Sequence, residues 1–193
     1  MDYLEKIPVP PKETFNVGLM SVRNDRMLEL FGHPVKNAKY LASGDCTPVN
    51  NATFAKRLET RNVGPFKVTG LKPALDSMTQ ILERVKAEVP DLYAMLGTAG
   101  MHCARFTKIR QKNGTLKIGP GISNHSWGTA VDIKLKGQLD TQGDKITLRG
   151  LLVLSAYFNA ASWYWGAGFS TEDAMHFEVS KGLLAKWKQA GTI

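Results

Sequence analysis

Three side chains in two short segments have the types and spacing of an open metal site. His125 and Asp132 stand seven residues apart, and His176 lies in a second segment further along the chain. Two imidazoles and one carboxylate fill three of the four tetrahedral positions around Zn²⁺ and leave the fourth for water. A vacant position is typical of catalytic zinc, whereas structural zinc sites are closed. The sequence therefore predicts a Zn²⁺ site at His125, Asp132 and His176.

Alternating polar and apolar residues predict that two strands carry most of this site. Asp132 has apolar neighbours on both sides within 129–135, and His176 alternates with the apolar residues of 175–179. Both ligands would therefore lie on the polar faces of half-buried strands, and pairing of the strands would bring them together. His125 lies upstream in a glycine-rich approach, where Gly128 permits a positive φ or a close backbone contact.

A carboxylate near the second segment can serve as a proton shuttle. Asp173 is expected on the turn that enters the His176 strand, facing the open side of the metal. Water bound to such a zinc ion has a pKa of roughly 7, so a nearby carboxylate can take its proton and pass it to a leaving amine. Glu172 is the competing candidate for this role. The ordinary alternative for Asp173 is a cap or an Asx turn.

The distribution of histidines supports the metal interpretation. The chain has four histidines, and two of them fall in segments where carboxylates stand at ligand-like spacing. His33 precedes a proline and His102 adjoins a cysteine, and neither has acidic neighbours at such spacing. We therefore expect His33 and His102 to be structural or exposed to solvent.

In these segments the chain resembles the zinc D-Ala-D-Ala carboxypeptidases and L-alanyl-D-glutamate endopeptidases. This family of peptidoglycan metallopeptidases includes vancomycin-resistance carboxypeptidases and dipeptidases and several phage endolysins. Ser123, His125 and Asp132 match its first motif, and Asp173 and His176 match its second. The resemblance implies zinc-dependent hydrolysis of peptidoglycan stem peptides. Both D,D-carboxypeptidase activity and endopeptidase activity, at L-Ala-D-Glu or D,D bonds, remain open.

The resemblance also implies roles for individual residues. The two histidines and Asp132 would bind zinc, and Asp173 would be the general base and acid, although many family members have Glu at that position. Arg105 is the counterpart of an upstream arginine that holds a substrate carboxylate or carbonyl. A planar guanidinium can grip a carboxylate with two hydrogen bonds and polarise an oxyanion. Arg110 is a rival, and a solvated strand residue is the ordinary alternative.

Three other functions are compatible with the same motifs. The chain could be a non-catalytic, zinc-stabilised module that binds the cell wall, or a structural component of a phage. A zinc amidase that cuts between glycan and peptide would use the same metal chemistry. We expect the enzyme, because a non-catalytic module has no need of Asp173.

The elements that must position the site indicate an α+β fold. We expect a small antiparallel sheet that carries the zinc site, flanked by helices, and the resemblance implies a hedgehog or D,D-peptidase-like arrangement. Helices are predicted over 73–89 and 148–161 and after Ser180, a hairpin at 113–114, and no regular element in the first twelve residues. Aromatic residues of 163–169 would fill the core or wall the cleft. The predicted single catalytic domain, 1–193, comprises an N-terminal extension (1–65) and a zinc peptidase core (66–193).

Charge and composition bound the partners and the location. The net charge is +8, which favours an anionic partner such as the cell envelope, and no signature of nucleic-acid binding is present. No apolar run approaches the ~20 residues that a bilayer-spanning helix needs. We expect a monomer made in the cytoplasm without a signal peptide, which reaches the periplasm or cell wall through a holin pore or an export machine. Cys46 and Cys103 could be disulfide-bonded or reduced.

Overall fold

The computed structural model describes residues 1–111 and 113–193 and has the predicted α+β fold. Its ten strands are β1 (Lys6–Pro8), β2 (Leu58–Asn62), β3 (Lys67–Leu71), β4 (Leu96–Gly100), β5 (Phe106–Arg110), β6 (Leu116–Ile122), β7 (Ala130–Leu135), β8 (Ile146–Leu148), β9 (Trp163–Trp165) and β10 (His176–Val179). Its α-helices are α1 (Asn24–Phe31), α2 (Ala52–Ala55), α3 (Lys72–Glu88), α4 (Pro90–Tyr93), α5 (Arg149–Ala160) and α6 (Lys181–Gln189).

One four-stranded sheet organises the molecule. Its strand order is β4-β7-β10-β9, and every neighbouring pair is antiparallel. Three two-stranded sheets surround it, formed by β1 with β8, β2 with β3 and β5 with β6. The last of these is the hairpin predicted at the Asn113-Gly114 turn. The prediction of a small antiparallel sheet with flanking helices is confirmed.

The core lies between this sheet and the helices that cover it. The apolar stripe of α3 is buried, and Pro73 occupies the first turn of that helix, where its missing N–H costs nothing. Trp163 and Trp165 of β9 are fully buried, so these two aromatics belong to the core. Ser180 caps α6 as predicted, because its Oγ accepts a hydrogen bond from the N–H of Leu183.

The N-terminal arm corrects one prediction. Residues 6–8 form the short strand β1, which pairs with β8, although the prolines of this segment favour irregular structure. Tertiary pairing outweighs local propensity here, and Pro8 is tolerated because it ends a short strand. Phe15, Met27 and Phe54 join the same core as the later residues. The division into an extension (1–65) and a core (66–193) stays a prediction.

Two further findings concern the whole chain. Cys46 and Cys103 form a disulfide, which resolves the alternative that the sequence left open. Within the part of the chain that the structure describes, no helix is both long and apolar enough to cross a bilayer.

Candidate metal centre

Strand register brings two of the predicted ligands together. In the antiparallel pair β7 and β10, His176 stands directly opposite Asp132. Side chains of opposite residues project to the same face of a sheet, so the imidazole and the carboxylate meet. His125 reaches the same point, and one candidate ligand atom from each of these three residues lies within 4.8 Å of the other two. The structure thus assembles the predicted ligand set.

The hydrogen bonds of the two imidazoles favour a cation between them. His125 Nδ1 donates to the carbonyl oxygen of Met101, at 2.9 Å, and His176 Nε2 donates to Glu178 Oε2, at 3.0 Å. In the neutral tautomers, the unprotonated nitrogens then face Asp132 Oδ1, at 3.2 Å from His125 Nε2 and 3.1 Å from His176 Nδ1. Three lone pairs pointed at one another repel unless a cation lies among them. The donor set therefore fits a divalent metal.

Electrostatics at Asp132 agree with this arrangement. Burial alone would raise its pKa, but the two neighbouring imidazoles outweigh burial and hold the pKa of Asp132 well below its usual range. The carboxylate is therefore ionised, as a metal ligand must be. When no metal is bound, the same carboxylate and Glu178 raise the pKa of His176 to about 10, against the effect of burial. Protons and metal thus compete for His176 Nδ1.

Glu178 supports the candidate ligand His176, and the sequence analysis did not predict it. Its buried carboxylate accepts hydrogen bonds from His176 and from the side-chain amide of Asn124, and the N–H of Val22 donates to its other oxygen. Such a carboxylate behind a metal-binding histidine fixes the ring orientation and the tautomer. The signal was present in the sequence, because Glu178 stands two residues after His176 and so shares its face of the strand.

The turn that carries His125 is fixed by its backbone. A 3₁₀ turn over Asn124–Trp127 ends at Gly128, which has φ of 63°. A Cβ on this glycine would lie 2.8 Å from the Cα of Gly70, and the Gly128 carbonyl accepts a hydrogen bond from the N–H of Leu71. Both predicted reasons for a glycine, positive φ and close approach, are found. The N–H of Cys103 also holds this turn, because it donates to the His125 carbonyl.

Asp173 lies beside the ligands and lines the same cavity, which has a volume of about 340 Å³. Its Oδ2 accepts a hydrogen bond from Gln142 Nε2 at 3.0 Å. Its Oδ1 is buried and has no hydrogen-bond partner among the described residues. Burial raises the pKa of Asp173 to about 6, although the nearby His176 opposes the shift. This carboxylate has one oxygen held in place and one available for a proton.

Glu172, the competing acid/base candidate, has different surroundings. Its carboxylate accepts three backbone hydrogen bonds, from the N–H groups of Gly143, Lys145 and Ala174. It is buried and borders a neighbouring cavity, but it does not line the cavity of the metal ligands. These contacts indicate a structural carboxylate that joins two loops.

Arg105 lies immediately before β5. Its half-buried guanidinium lines the ligand cavity and donates to the Phe106 carbonyl. Burial lowers its pKa from the ordinary value, opposed by the charges of Asp132 and Asp173. The N–H of Ser123 donates to the Arg105 carbonyl, and the N–H of Arg105 donates to Ser126 Oγ, so Arg105 is tied to the His125 turn.

The remaining candidates are not part of the ligand set. Arg110 is exposed, donates to the Gly114 carbonyl and borders the neighbouring cavity of about 800 Å³. His33 and His102 are outside the ligand cluster. Phe169 forms a wall of the cleft, with its ring centroid 5.5 Å from that of His176, so the aromatic segment 163–169 serves both core and cleft.

Comparison with known proteins identifies this segment. Residues 117–179 match the family model of D-alanyl-D-alanine carboxypeptidase. The metal-site segment is therefore similar to this peptidase family. The predicted resemblance is therefore confirmed, and the family match supports a peptidoglycan metallopeptidase in general terms. The match spans about a third of the chain and includes all three ligands and Asp173, while Arg105 precedes it. No curated protein and no solved structure matches the chain.

Proposed function

We propose that this chain is a zinc peptidase that hydrolyses peptide bonds in peptidoglycan stem peptides. The reaction is that of a D,D-carboxypeptidase or of an endopeptidase acting at L-Ala-D-Glu or D,D bonds. One observation carries the proposal. One ring nitrogen from each of two histidines and a carboxylate oxygen converge beside Asp173, which lines the same cavity and whose Oδ1 has no hydrogen-bond partner among the described residues. A site built only for stability has no use for that fourth group.

His125, Asp132 and His176 would hold the metal. Nitrogen and carboxylate ligands of this number suit zinc with an open coordination position. When bound, zinc acts as a Lewis acid that activates water and polarises the peptide carbonyl. The chain prepares its ligands in advance, since Met101 and Glu178 fix the tautomers of the two imidazoles.

Asp173 carries the proton through the reaction. A carboxyl group with a pKa of about 6 is mostly ionised at neutral pH, so it can accept the proton of the attacking water. The same pKa leaves its conjugate acid strong enough to donate to the departing amine. Oδ1 of Asp173 makes this transfer, because Oδ2 is occupied by Gln142. Hydrolysis by this route needs no covalent intermediate, and Ser123 and Ser126 have no nucleophilic role.

Arg105 binds the substrate. Its guanidinium lines the ligand cavity, where it can hold a substrate carboxylate or stabilise negative charge on the carbonyl oxygen. Attachment of its backbone to the His125 turn keeps it in register with the ligands.

The site of action is the periplasm or the cell wall. A net charge of +8 favours association with the anionic envelope. The disulfide Cys46–Cys103 is typical of proteins that work in an oxidising compartment. We propose that the chain acts there as a monomer, after export by a holin or a secretion machine.

Digestion of purified peptidoglycan tests the function. The wild-type protein, metal-free protein and zinc-reconstituted protein would be incubated with sacculi, and the released muropeptides identified by mass spectrometry. We expect peptide cleavage that is lost on chelation and restored by zinc, and the masses identify the bond. Asp173→Asn should release far less peptide than the wild-type protein. Asp91→Asn, at an exposed aspartate, is its matched control and should release as much as the wild type. Binding to sacculi without release of peptides would instead support a non-catalytic module, and separation of glycan from peptide would identify an amidase.

A further inference from the structure

Gln142 occupies the junction between the two cavities described above. It belongs to the loop that joins β7 to β8, and it lines both the cavity of the metal ligands and its larger neighbour. It is far from the ligand motifs in sequence, 31 residues before Asp173. Nothing in the motif pattern draws attention to it.

The side-chain amide of Gln142 is used at both ends. Its Nε2 donates to Asp173 Oδ2 at 3.0 Å, and its Oε1 accepts from the backbone N–H of Arg110 at 3.2 Å. The Arg110 N–H can only donate, so it requires an acceptor and fixes which end of the amide is the oxygen. The amide nitrogen is then directed at the carboxylate.

The loop that carries Gln142 is itself held in place. Glu172 accepts hydrogen bonds from the N–H groups of Gly143 and Lys145, which follow Gln142 closely. Glu172 immediately precedes Asp173. Its hydrogen bonds therefore connect the Gln142 loop to the Asp173 segment a second time, beside the Gln142–Asp173 bond itself. A buried carboxylate with three backbone donors is a strong local restraint.

We propose that Gln142 is the positioning residue for the acid/base carboxylate: it holds Oδ2 of Asp173, leaves Oδ1 for proton transfer, and ties this orientation to the β5–β6 hairpin through Arg110. The inference rests on the proposed function, and it adds to it a residue outside the family motifs. Gln142 needs no contact with the substrate to act in this way.

The link to the hairpin has a functional consequence. Thr107, Lys108 and Ile109 of β5 line the ligand cavity, so a bound peptide contacts the strand whose last residue, Arg110, holds Gln142. A shift of β5 would be transmitted to Asp173 through one amide group.

Substitution of Gln142 tests the proposal. Gln142→Met keeps the length of the side chain and removes both hydrogen bonds, and Gln142→Glu keeps the acceptor for Arg110 but replaces the donor with a carboxylate. We expect both to lower kcat by about 10- to 100-fold, since small misplacements of a catalytic group have effects of this size. KM, metal content and melting temperature should stay close to wild type. Gln138→Met is the matched control, because Gln138 is an exposed glutamine of the same loop, and it should leave kcat unchanged.

The possible outcomes separate this inference from the proposed function. An active wild-type protein whose kcat is unaffected by Gln142→Met contradicts the positioning role alone. Loss of metal in parallel with loss of kcat overturns it too, since Gln142 would then be needed to build the site. A wild-type protein that releases no peptides from sacculi contradicts the proposed function itself.

Discussion

Two of the proposed metal ligands and the proposed acid/base group are positioned by different kinds of structure. Asp132 and His176 stand opposite each other on paired strands inside a four-stranded sheet, so backbone register fixes their distance. Asp173 lies in an irregular segment before β10, and its carboxylate accepts one side-chain hydrogen bond, from Gln142 in another loop. The comparison indicates that metal binding should tolerate changes in the loop that carries Gln142, whereas turnover should not.

Removal of a strand ligand should have the largest effect. We expect Asp132→Ala to lose bound metal and to lower peptidase activity by about 10⁴-fold or more, because the metal supplies most of the chemistry. Metal content by elemental analysis and peptide release from sacculi measure the two effects. Asp91→Ala, at an exposed aspartate, should change neither. Retention of stoichiometric metal by Asp132→Ala would exclude it as a ligand.

Substitutions in the loop should separate turnover from metal binding. Asp173→Asn keeps the shape and an acceptor for Gln142 but cannot exchange a proton, so we expect kcat to fall by about 10²- to 10⁴-fold with metal retained. Glu172→Gln should instead lower stability by about 1–3 kcal/mol, since it places an amide NH₂ against backbone donors. Steady-state kinetics and thermal melts compare the two. The reverse result, with kcat lost only in Glu172→Gln, would make Glu172 the acid/base group.

Substitution of Glu178 tests how much metal binding by His176 depends on the carboxylate behind it. In Glu178→Gln an oxygen can still accept from His176, but the charge is lost and one backbone donor loses its partner. We expect metal affinity to fall by about 10- to 100-fold, as for other residues behind metal ligands. Competition with a chromophoric chelator measures the affinity, and exposed Glu88→Gln is the control. An unchanged metal affinity would mean that the β7–β10 register positions His176 without help from Glu178.

The pH profile should show the smallest effect. Asp173 must be ionised to accept a proton, and its pKa is about 6. We therefore expect kcat/KM to be level near neutral pH and to fall about tenfold per pH unit below pH 6. Metal content must be followed at each pH, because protons also compete for the histidine ligands. A level profile well below pH 6 with metal retained would argue against Asp173 as the base.

The positions of Asp132 and His176 were predictable from the sequence, because side chains alternate regularly between the two faces of a strand. Alternation with period two placed Asp132 and His176 on polar faces, and the structure pairs them as expected. The same reasoning would have found Glu178. Helix α3 was equally predictable, since its apolar residues recur at helical spacing and Pro73 stands in the first turn.

The surroundings of Asp173 could not be predicted, because contacts between loops leave no periodic pattern in the sequence. The hydrogen bond between Gln142 and Asp173 joins two irregular segments, and only the folded chain shows which loops meet. The pairing of β1 with β8 escaped prediction for the same reason, since the partner of Lys6–Pro8 lies far along the chain.

The close contact between Gly128 and Gly70 has an evolutionary and practical consequence. An excised fragment of residues 117–179 would carry all three proposed metal ligands and the proposed proton shuttle. It would lack Gly70, the Met101 carbonyl that orients His125, and the backbone of Val22 behind Glu178. Grafting that fragment onto a foreign scaffold should therefore transfer the recognisable motif without its geometry, and a working transplant has to bring the surrounding backbone with it.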